Sequence, residues 1–274
     1  MAFAVMVASN TAIAQVGWLN PEGKPGIGLE WSLASLKSYN DYYYKMSYPF
    51  PTGALFLSAR ARVGNGAHFV LEAPVFLTKF EFSSPYASAS ESRQGIANPY
   101  IGIEFGTPGN SAIGTFGVRF PLVSEDNSSW ALPAVAYESH RLLAFMHDVT
   151  QVSAGGGYRY VSRTGSGFRI IGGGQLAIPS EGDAELFGDL ATNFWLQADK
   201  VRLMATFGGL VLITESGYDF GDRILLNLGL AADLTLGSWQ PGIHFRMPLD
   251  DNVNKVMNSV YGIHVTYLFP SSKH

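Results

Sequence analysis

The chain has 274 residues, which fits one large domain or one barrel, and its formal net charge is −4. Charged residues make up 15% of the sequence, against about 25% in ordinary soluble proteins. There is no cysteine, which excludes disulfides and thiolate metal sites, and the net charge gives no reason to expect a nucleic-acid partner. No run of about 18 apolar residues follows the N-terminal segment, so a helical membrane protein is excluded.

The N-terminal segment has two features of a secretory signal. AFAVMVA is a short apolar core, and Ala12-Ile13-Ala14 before Gln15 fits a small-x-small cleavage site. The positively charged start of such a signal is missing, and a short apolar strand is the alternative. We predict an exported protein with a signal peptide at residues 1–14 and one domain at residues 15–274.

The rest of the chain is a series of alternating apolar and polar runs, separated by residues that favour turns. The runs predict twelve strands: Gly26–Leu36, Gly53–Val63, Ala67–Phe80, Ala97–Gly106, Ser111–Leu122, Thr150–Val161, Gly167–Ile178, Leu186–Gln197, Val201–Thr214, Arg223–Thr235, Trp239–Leu249 and Val260–Phe269. Pro74 lies in the middle of the third run. Because proline removes a ladder hydrogen bond, we expect a bulge or a local break there.

The connections alternate between short and long. The short ones are Gly64–Gly66, Thr107–Asn110, Ser162–Ser166, Ala198–Lys200 and Leu236–Ser238. The others are generally longer, and the longest is Val123–Val149. Membrane barrels have short periplasmic turns and long extracellular loops, whereas a soluble β-sandwich has no reason to sort its loops in this way. The pattern predicts an all-β, closed, antiparallel transmembrane barrel of twelve strands, with ten or fourteen as alternatives.

The two faces of the predicted strands differ in polarity. The run Arg223–Thr235 places Leu226 and Leu230 on one face and Asn227 and Asp233 on the other. An Arg that faced lipid at the midplane would cost about 2–4 kcal/mol, so charged side chains should face the lumen. The residues predicted to line the lumen are Glu30, Arg60, Arg62, Glu72, Glu104, Arg119, Arg159, Arg169, Asp189, Arg202, Asp233, His244, Arg246 and His264.

Outward aromatic residues close to the short turns form a second pattern. They are Phe69, Phe105, Tyr158, Tyr160, Phe168, Trp239, Tyr267 and Phe269. Aromatic rings of membrane proteins concentrate at headgroup depth, so this set predicts a periplasmic aromatic girdle.

The last strand carries a recognisable signature. From Val260 to Phe269 the residues alternate strictly, and the apolar and aromatic stripe ends in Phe269. The segment resembles the C-terminal signal of Gram-negative outer-membrane β-barrel proteins, although this chain continues with Pro270–His274. The resemblance implies that the protein is located in the outer membrane, contacts outer-membrane lipid and meets the barrel-assembly machinery through its C-terminal strand.

Catalysis has two candidate constellations. His244 and His264 point inward on adjacent strands, but no G-x-S-x-G or comparable serine setting of a barrel phospholipase accompanies them. His147-Asp148, with His140 and Glu138 in the longest loop, has the residue types of an acid–base or metal cluster like those of barrel proteases. Charged residues in loops are more often solvated surface. We predict a protein that is not an enzyme, without catalytic residues, metal or cofactor.

Small inward residues such as Gly28, Gly102 and Gly173 favour an open lumen. The sequence therefore predicts a channel for passive passage of small solutes, lined by Arg and carboxylate pairs, with a mild preference for anions. GVRFPL at Gly117–Leu122 and HFRMPL at His244–Leu249 are similar in style to outer-membrane transporters of fatty acids and aromatic hydrocarbons, including the group of phenol-degradation pathways. That resemblance, with the apolar content of the longest loop and the Tyr42-Tyr43-Tyr44 cluster, implies uptake of hydrophobic compounds as an alternative. A closed structural barrel without transport is the further alternative.

Overall fold

The structure is a computed structural model that describes residues 20–40, 43, 45–107, 109, 111–137, 141–214 and 220–270. The predicted signal peptide lies outside the described residues. The strands, in chain order, are β1 (Gly26–Leu36), β2 (Tyr39–Asn40), β3 (Lys45–Ser47), β4 (Gly53–Gly64), β5 (Ala67–Ser83), β6 (Ser88–Ile96), β7 (Tyr100–Phe105), β8 (Ser111–Arg119), β9 (Val149–Val161), β10 (Gly167–Pro179), β11 (Glu185–Ala198), β12 (Val201–Leu212), β13 (Ile224–Leu234), β14 (Trp239–Pro248) and β15 (Met257–Leu268). The helices are α1 (Glu125–Tyr137) and α2 (Asp251–Asn254), and 3-10 turns lie at Leu142–Ala144 and Phe220–Arg223.

Twelve of these strands form a closed antiparallel ring. The order is β1, β15, β14, β13, β12, β11, β10, β9, β8, β7, β5 and β4, and β4 pairs back to β1. The last strand closes the ring, with Leu268 opposite Gly26. The predicted all-β, closed, twelve-stranded antiparallel barrel is therefore confirmed.

The predicted strand bounds differ from the observed ones mainly beside the longest loop. The run Ser111–Leu122 ends as a strand at Arg119, and the run Ala97–Gly106 is a strand only over Tyr100–Phe105. Pro121 has no amide hydrogen to continue the ladder, so the chain leaves the wall there and turns toward α1.

Pro74 fits the wall without a bulge in β5. Beyond β4, this strand pairs with β7 over Ala67–Glu72 and with β6 over Val75–Ser83. Pro74 lies at the junction of the two ladders, where its carbonyl accepts from the Ala97 amide at 2.9 Å. Its pairing with Phe56 on β4 continues in register. The missing amide hydrogen thus falls where the strand exchanges one partner for another.

The outer and inner surfaces of the ring have opposite character. Leu203, Leu230 and Ile243 are exposed on the outside, whereas Asn227 and Asp233 on β13 are buried inside. Such an exterior suits the hydrocarbon region of a membrane, where strands present apolar side chains outward. Among the described residues, no helix has the length and apolar character needed to span a membrane.

Aromatic side chains cluster on the outer surface of the barrel, near the short turns. Phe168 lies 5.8 Å from Tyr160 and 6.3 Å from Phe194, measured between ring centroids. Trp239 and Tyr267 lie 4.9 Å apart. Four of these five residues belong to the predicted periplasmic girdle, and Phe194 joins them from β11.

The main apolar core lies inside the ring, near the long loops. It is built by the inward loop, which we define as the described residues 120–137 and 141–148 and which contains α1 and the turn Leu142–Ala144. Ala131, Leu142 and Phe145 pack against inward residues of β4, β5 and β15, while Leu143 packs against inward residues of β10, β11 and β12. The inward loop therefore spans the barrel interior. Its helix begins at Glu125.

Candidate functional site

The interior of the ring holds many buried charges, most of them on the strands and one, Arg141, on the inward loop. Among the described residues, seven guanidinium groups and five carboxylates are almost fully buried: Arg60, Arg119, Arg141, Arg159, Arg169, Arg202, Arg246, Glu30, Glu72, Glu104, Asp189 and Asp233. Burying so many ions is costly unless each finds partners, because the interior solvates charge poorly. The partners of these charged groups therefore determine whether the interior is stable.

The predicted lumen residues are buried with one exception. Arg62 lies exposed at the end of β4, where the register shifts before Gly64, and its Nε donates to the Gly64 carbonyl at 3.1 Å. The structure thus places Arg62 at the rim of the barrel, because the irregular end of β4 leads directly into the turn.

Three guanidinium groups and one carboxylate form a layer near the short turns. Arg60 forms a bidentate pair with Glu104, and Arg159 Nη1 lies 3.4 Å from Glu104 Oε1. Arg169 Nε donates to Asn193 Oδ1 at 3.0 Å. Positive charge therefore exceeds negative charge among these groups.

The turn that precedes β1 reaches into this layer. Gly23 lies directly against the Arg159 guanidinium, and its positive φ of 70° is one that glycine adopts without strain. Glu22 Oε1 lies 3.6 Å from Arg202 Nη1. Because Arg159 and Arg202 belong to β9 and β12, the turn crosses the interior and narrows the short-turn mouth.

A chain of hydrogen bonds follows the inner wall over four neighbouring strands, β13, β14, β15 and β1. Asp233 Oδ1 lies 2.7 Å from His264 Nε2, and the Nδ1 atoms of His264 and His244 lie 3.2 Å apart. His244 Nε2 lies 3.2 Å from Ser32 Oγ, which donates to Glu30 Oε1 at 3.0 Å. The chain thus has a carboxylate at each end.

Each imidazole of this hydrogen-bond chain has a partner at both of its ring nitrogens. Ser32 is fully buried and its hydroxyl donates to Glu30, so it is not presented to a substrate as a nucleophile.

Arg141 connects the inward loop to the wall. Its Nη2 donates to Glu30 Oε2 at 2.7 Å, and its Nη1 donates to Glu72 Oε2 at 3.2 Å. The guanidinium carbon lies 3.2 Å from the centroid of the Phe56 ring. Glu72 also accepts from Arg119 Nη2 at 2.8 Å. A single loop side chain therefore joins two carboxylates of β1 and β5.

Asn98 is the second anchor of the inward loop. Its side-chain amide donates to the carbonyls of Leu143 and Met146 at 3.0 and 2.6 Å. Its Oδ1 accepts from the amides of Leu122 and Val123 at 2.6 and 2.9 Å. One buried side chain thus fastens both ends of the inward loop beside β7.

Neither Arg141 nor Asn98 is among the residues predicted from sequence. Arg141 lies outside the predicted strands, where the period of two gives no direction to a side chain. Asn98 lies in the predicted run Ala97–Gly106, on the same face as Glu104, but the strand itself begins only at Tyr100. The signal that was available for Arg141 is its position as a single charge before the apolar run Leu142–Met146.

The predicted loop cluster is only partly described. Glu138, His140, Tyr42 and Tyr44 lie outside the described residues. His147 is exposed, and Asp148 contacts the Ser180 hydroxyl. Within the described part of the chain, no group of three or more His, Asp or Glu side chains has the arrangement of a metal site.

Comparison with known proteins supports the fold. No protein-family model matches the sequence, and no curated protein does. The structure is similar to an outer membrane channel from Pseudomonas putida F1, with a TM-score of 0.54 and 11% identity over 98% of this chain and 100% of that one. It is also similar to the NanC porin, with a TM-score of 0.53 and 6% identity over 89% of this chain and 100% of that one. At these identities the likeness establishes the outer-membrane β-barrel fold, the one used by channels and porins. The predicted location in the outer membrane agrees with this fold.

Proposed function

We propose that the protein is an outer-membrane channel for small polar solutes and that the inward loop closes it in the present conformation. The observation that carries the proposal is the charged interior, in which seven guanidinium groups outnumber five carboxylates. Apolar residues would fill a purely structural barrel at lower cost, since buried ion pairs often contribute less than the hydrophobic packing that replaces them. A charged wall is useful where polar solutes and water must pass. The excess of Arg supports a mild preference for anions.

The inward loop is the part that must move. Its contacts with the wall combine an apolar cluster with two polar anchors, Arg141 and Asn98. When the loop withdraws, Glu30 and Glu72 lose Arg141, while Glu72 keeps Arg119. The wall therefore retains part of its charge pairing in the open state.

Planar-bilayer recording with the full-length chain tests this proposal. We expect rare or small conductance steps for the unmodified protein and larger or more frequent steps for Arg141→Ala, because the loop loses its ion pairs. Arg163→Ala, which removes an exposed Arg in a short turn, is the matched control and should behave like the unmodified protein. In a salt gradient, the reversal potential should show anion preference. Absence of conductance in both the unmodified chain and Arg141→Ala contradicts the proposal and favours a closed structural barrel.

Uptake of hydrophobic compounds is the second candidate, and the apolar cluster around the inward loop favours it. Leu143 and Phe145 are buried there beneath the long loops. The fluorescent apolar probe 1-aminoanthracene should then bind the detergent-solubilised protein and bind less well to Leu143→Ser. Leu132→Ser, at an exposed position of α1, is the control. Equal binding by both variants argues against this candidate.

The remaining inferences concern the surroundings of the barrel. The apolar exterior supports direct contact with outer-membrane lipid, and β15, which closes the ring, is the segment that the barrel-assembly machinery would meet. The buried position of Ser32 and the exposed position of His147 support a protein that is not an enzyme.

A further inference from the structure

Asp189 differs from every other buried carboxylate that the structure describes. Glu30, Glu72, Glu104 and Asp233 each contact at least one guanidinium group. Asp189 is 9% exposed, and neither of its carboxylate oxygens has a hydrogen-bond partner among the described residues. The Gln175 amide lies close enough to interact with it but does not reach hydrogen-bond geometry. A carboxylate so placed has unused capacity to accept hydrogen bonds.

The wall beside Asp189 is made of glycine. In one row across four neighbouring strands, Thr115 is paired with Gly155, Gly155 with Gly173, and Gly173 with Asp189. A Cβ atom added to Gly173 would lie 3.2 Å from Asp189 Oδ1, and one added to Gly155 would lie 3.2 Å from Thr115 Oγ1. The two polar side chains therefore lean over the glycines from opposite sides. The Thr115 hydroxyl, like Asp189, has no partner among the described residues.

Three inward glycines elsewhere in the barrel are covered by a large side chain. The Tyr100 ring lies over Gly102 and Gly117, and the His244 ring lies over Gly262. At Gly155 and Gly173, the nearest atoms belong to backbone or to the small groups of Thr115 and Asp189. The pair thus forms the floor of a niche between Thr115 and Asp189, whose side-chain oxygen atoms are shielded from solvent in the present conformation.

The niche lies just below the inward loop. Asp189 is paired across the strands with Leu210, whose side chain belongs to the cluster that holds Leu143 of the loop. A solute that enters after the loop withdraws would therefore reach the niche from the side of the inward loop.

We propose that this niche, formed by Thr115, Gly155, Gly173 and Asp189, binds a small, uncharged, hydroxyl-rich solute such as a sugar. Two neighbouring hydroxyl groups of the solute donate to the two oxygens of Asp189, a third hydroxyl pairs with Thr115, and the glycine floor lets the solute lie against the backbone. The proposal deepens the channel function, on which it rests, by naming the class of solute.

The surrounding charges favour an uncharged ligand. The excess of Arg in the interior opposes a cation, and the Asp189 carboxylate opposes an anion at the niche itself. Neutral hydroxyl groups satisfy the carboxylate without adding charge to the interior.

Calorimetric titration of the full-length protein with D-glucose tests the proposal. The detergent must lack sugar headgroups, for which lauryldimethylamine oxide is suitable. We expect saturable binding that Asp189→Asn weakens about tenfold or more, since a hydrogen bond to a charged group is worth about 1.5–3 kcal/mol. Thr115→Val should weaken binding to a smaller extent. Thr206→Val is the matched control, because it removes another buried hydroxyl without a described partner, outside the niche, and should leave binding unchanged.

Each variant is also measured in the Arg141→Ala chain, so that the inward loop cannot hide the niche, and heat-modifiable gel mobility verifies that each one is folded. Absence of saturable binding in both backgrounds overturns the proposal, as does equal binding by Asp189→Asn. Stronger binding of methylammonium than of glucose also overturns it, in favour of a cation site. The titration needs no membrane, so glucose binding without bilayer conductance would contradict the channel function alone, and conductance without glucose binding would contradict the niche alone.

Discussion

At the scale of single residues, charge pairing organises the interior. Glu72 is fully buried and contacts both Arg119 and Arg141. A buried ion pair adds little stability compared with good apolar packing, but removing one partner leaves an uncompensated charge behind. Residues of this kind therefore hold the interior in one arrangement, and their loss should be costly.

Replacing Glu72 tests this argument. We expect Glu72→Gln to lower the free energy of unfolding by about 3–5 kcal/mol, because two buried guanidinium groups lose their shared carboxylate. Urea unfolding in detergent, followed by tryptophan fluorescence, measures the change. Glu81→Gln is the control: its pair with Lys79, at 2.8 Å, is partly exposed to solvent and should contribute less than about 1 kcal/mol. Similar losses of unfolding free energy for the two variants would show that the contribution of these ion pairs does not depend on their burial.

At the scale of elements, the position of the inward loop inside the barrel is what the strand pattern did not predict. The sequence marks residues 123–149 as the longest connection and as rich in apolar residues. Whether such a loop caps the mouth or fills the interior depends on whether the interior has side chains that can bind it. Here, Phe56 and Phe76 form an apolar surface against which the loop packs, and Asn98 hydrogen-bonds to the loop backbone.

A thiol placed in the inward loop reports its position. The chain has no cysteine, so Ala144→Cys introduces a unique and fully buried thiol. We expect a water-soluble maleimide to label it slowly in otherwise unmodified protein and at least about tenfold faster when Asn98→Ala is added, because buried hydrogen bonds of about 1 kcal/mol each are lost. Mass spectrometry follows the reaction.

Tyr86→Cys is the control for that experiment. Tyr86 is 94% exposed in the β5–β6 turn, so its thiol should react at the same rate with or without Asn98→Ala. An unchanged rate at position 144 would mean that Asn98 does not hold the loop.

At the scale of the whole molecule, the ring separates two environments. Its outer wall is apolar around the barrel, and its interior is polar wherever the inward loop does not cover it. In a membrane, a charge on the outer wall should be costly in proportion to its depth, as expected for strands in contact with lipid.

Two substitutions at different depths test this. Leu230 lies midway along β13 and Leu236 lies in the following short turn, and both are exposed on the outside to a similar extent. In lipid vesicles, Leu230→Arg should lower the free energy of unfolding by about 2–4 kcal/mol, and Leu236→Arg should lower it by about 0–1 kcal/mol. Equilibrium unfolding by guanidinium measures both. Equal costs would contradict a lipid-facing wall at Leu230.

The sequence by itself determined the strands, the sorting of short and long connections, and the two faces of the wall, because a period of two is a local property of an extended chain. Only the tertiary structure decided what fills the barrel. The contact between Arg141 and Glu30 joins residues 111 positions apart, and that between Ser32 and His244 joins residues 212 positions apart. Such contacts depend on how the ring closes and where a loop finds complementary surface, and local periodicity carries no information about either.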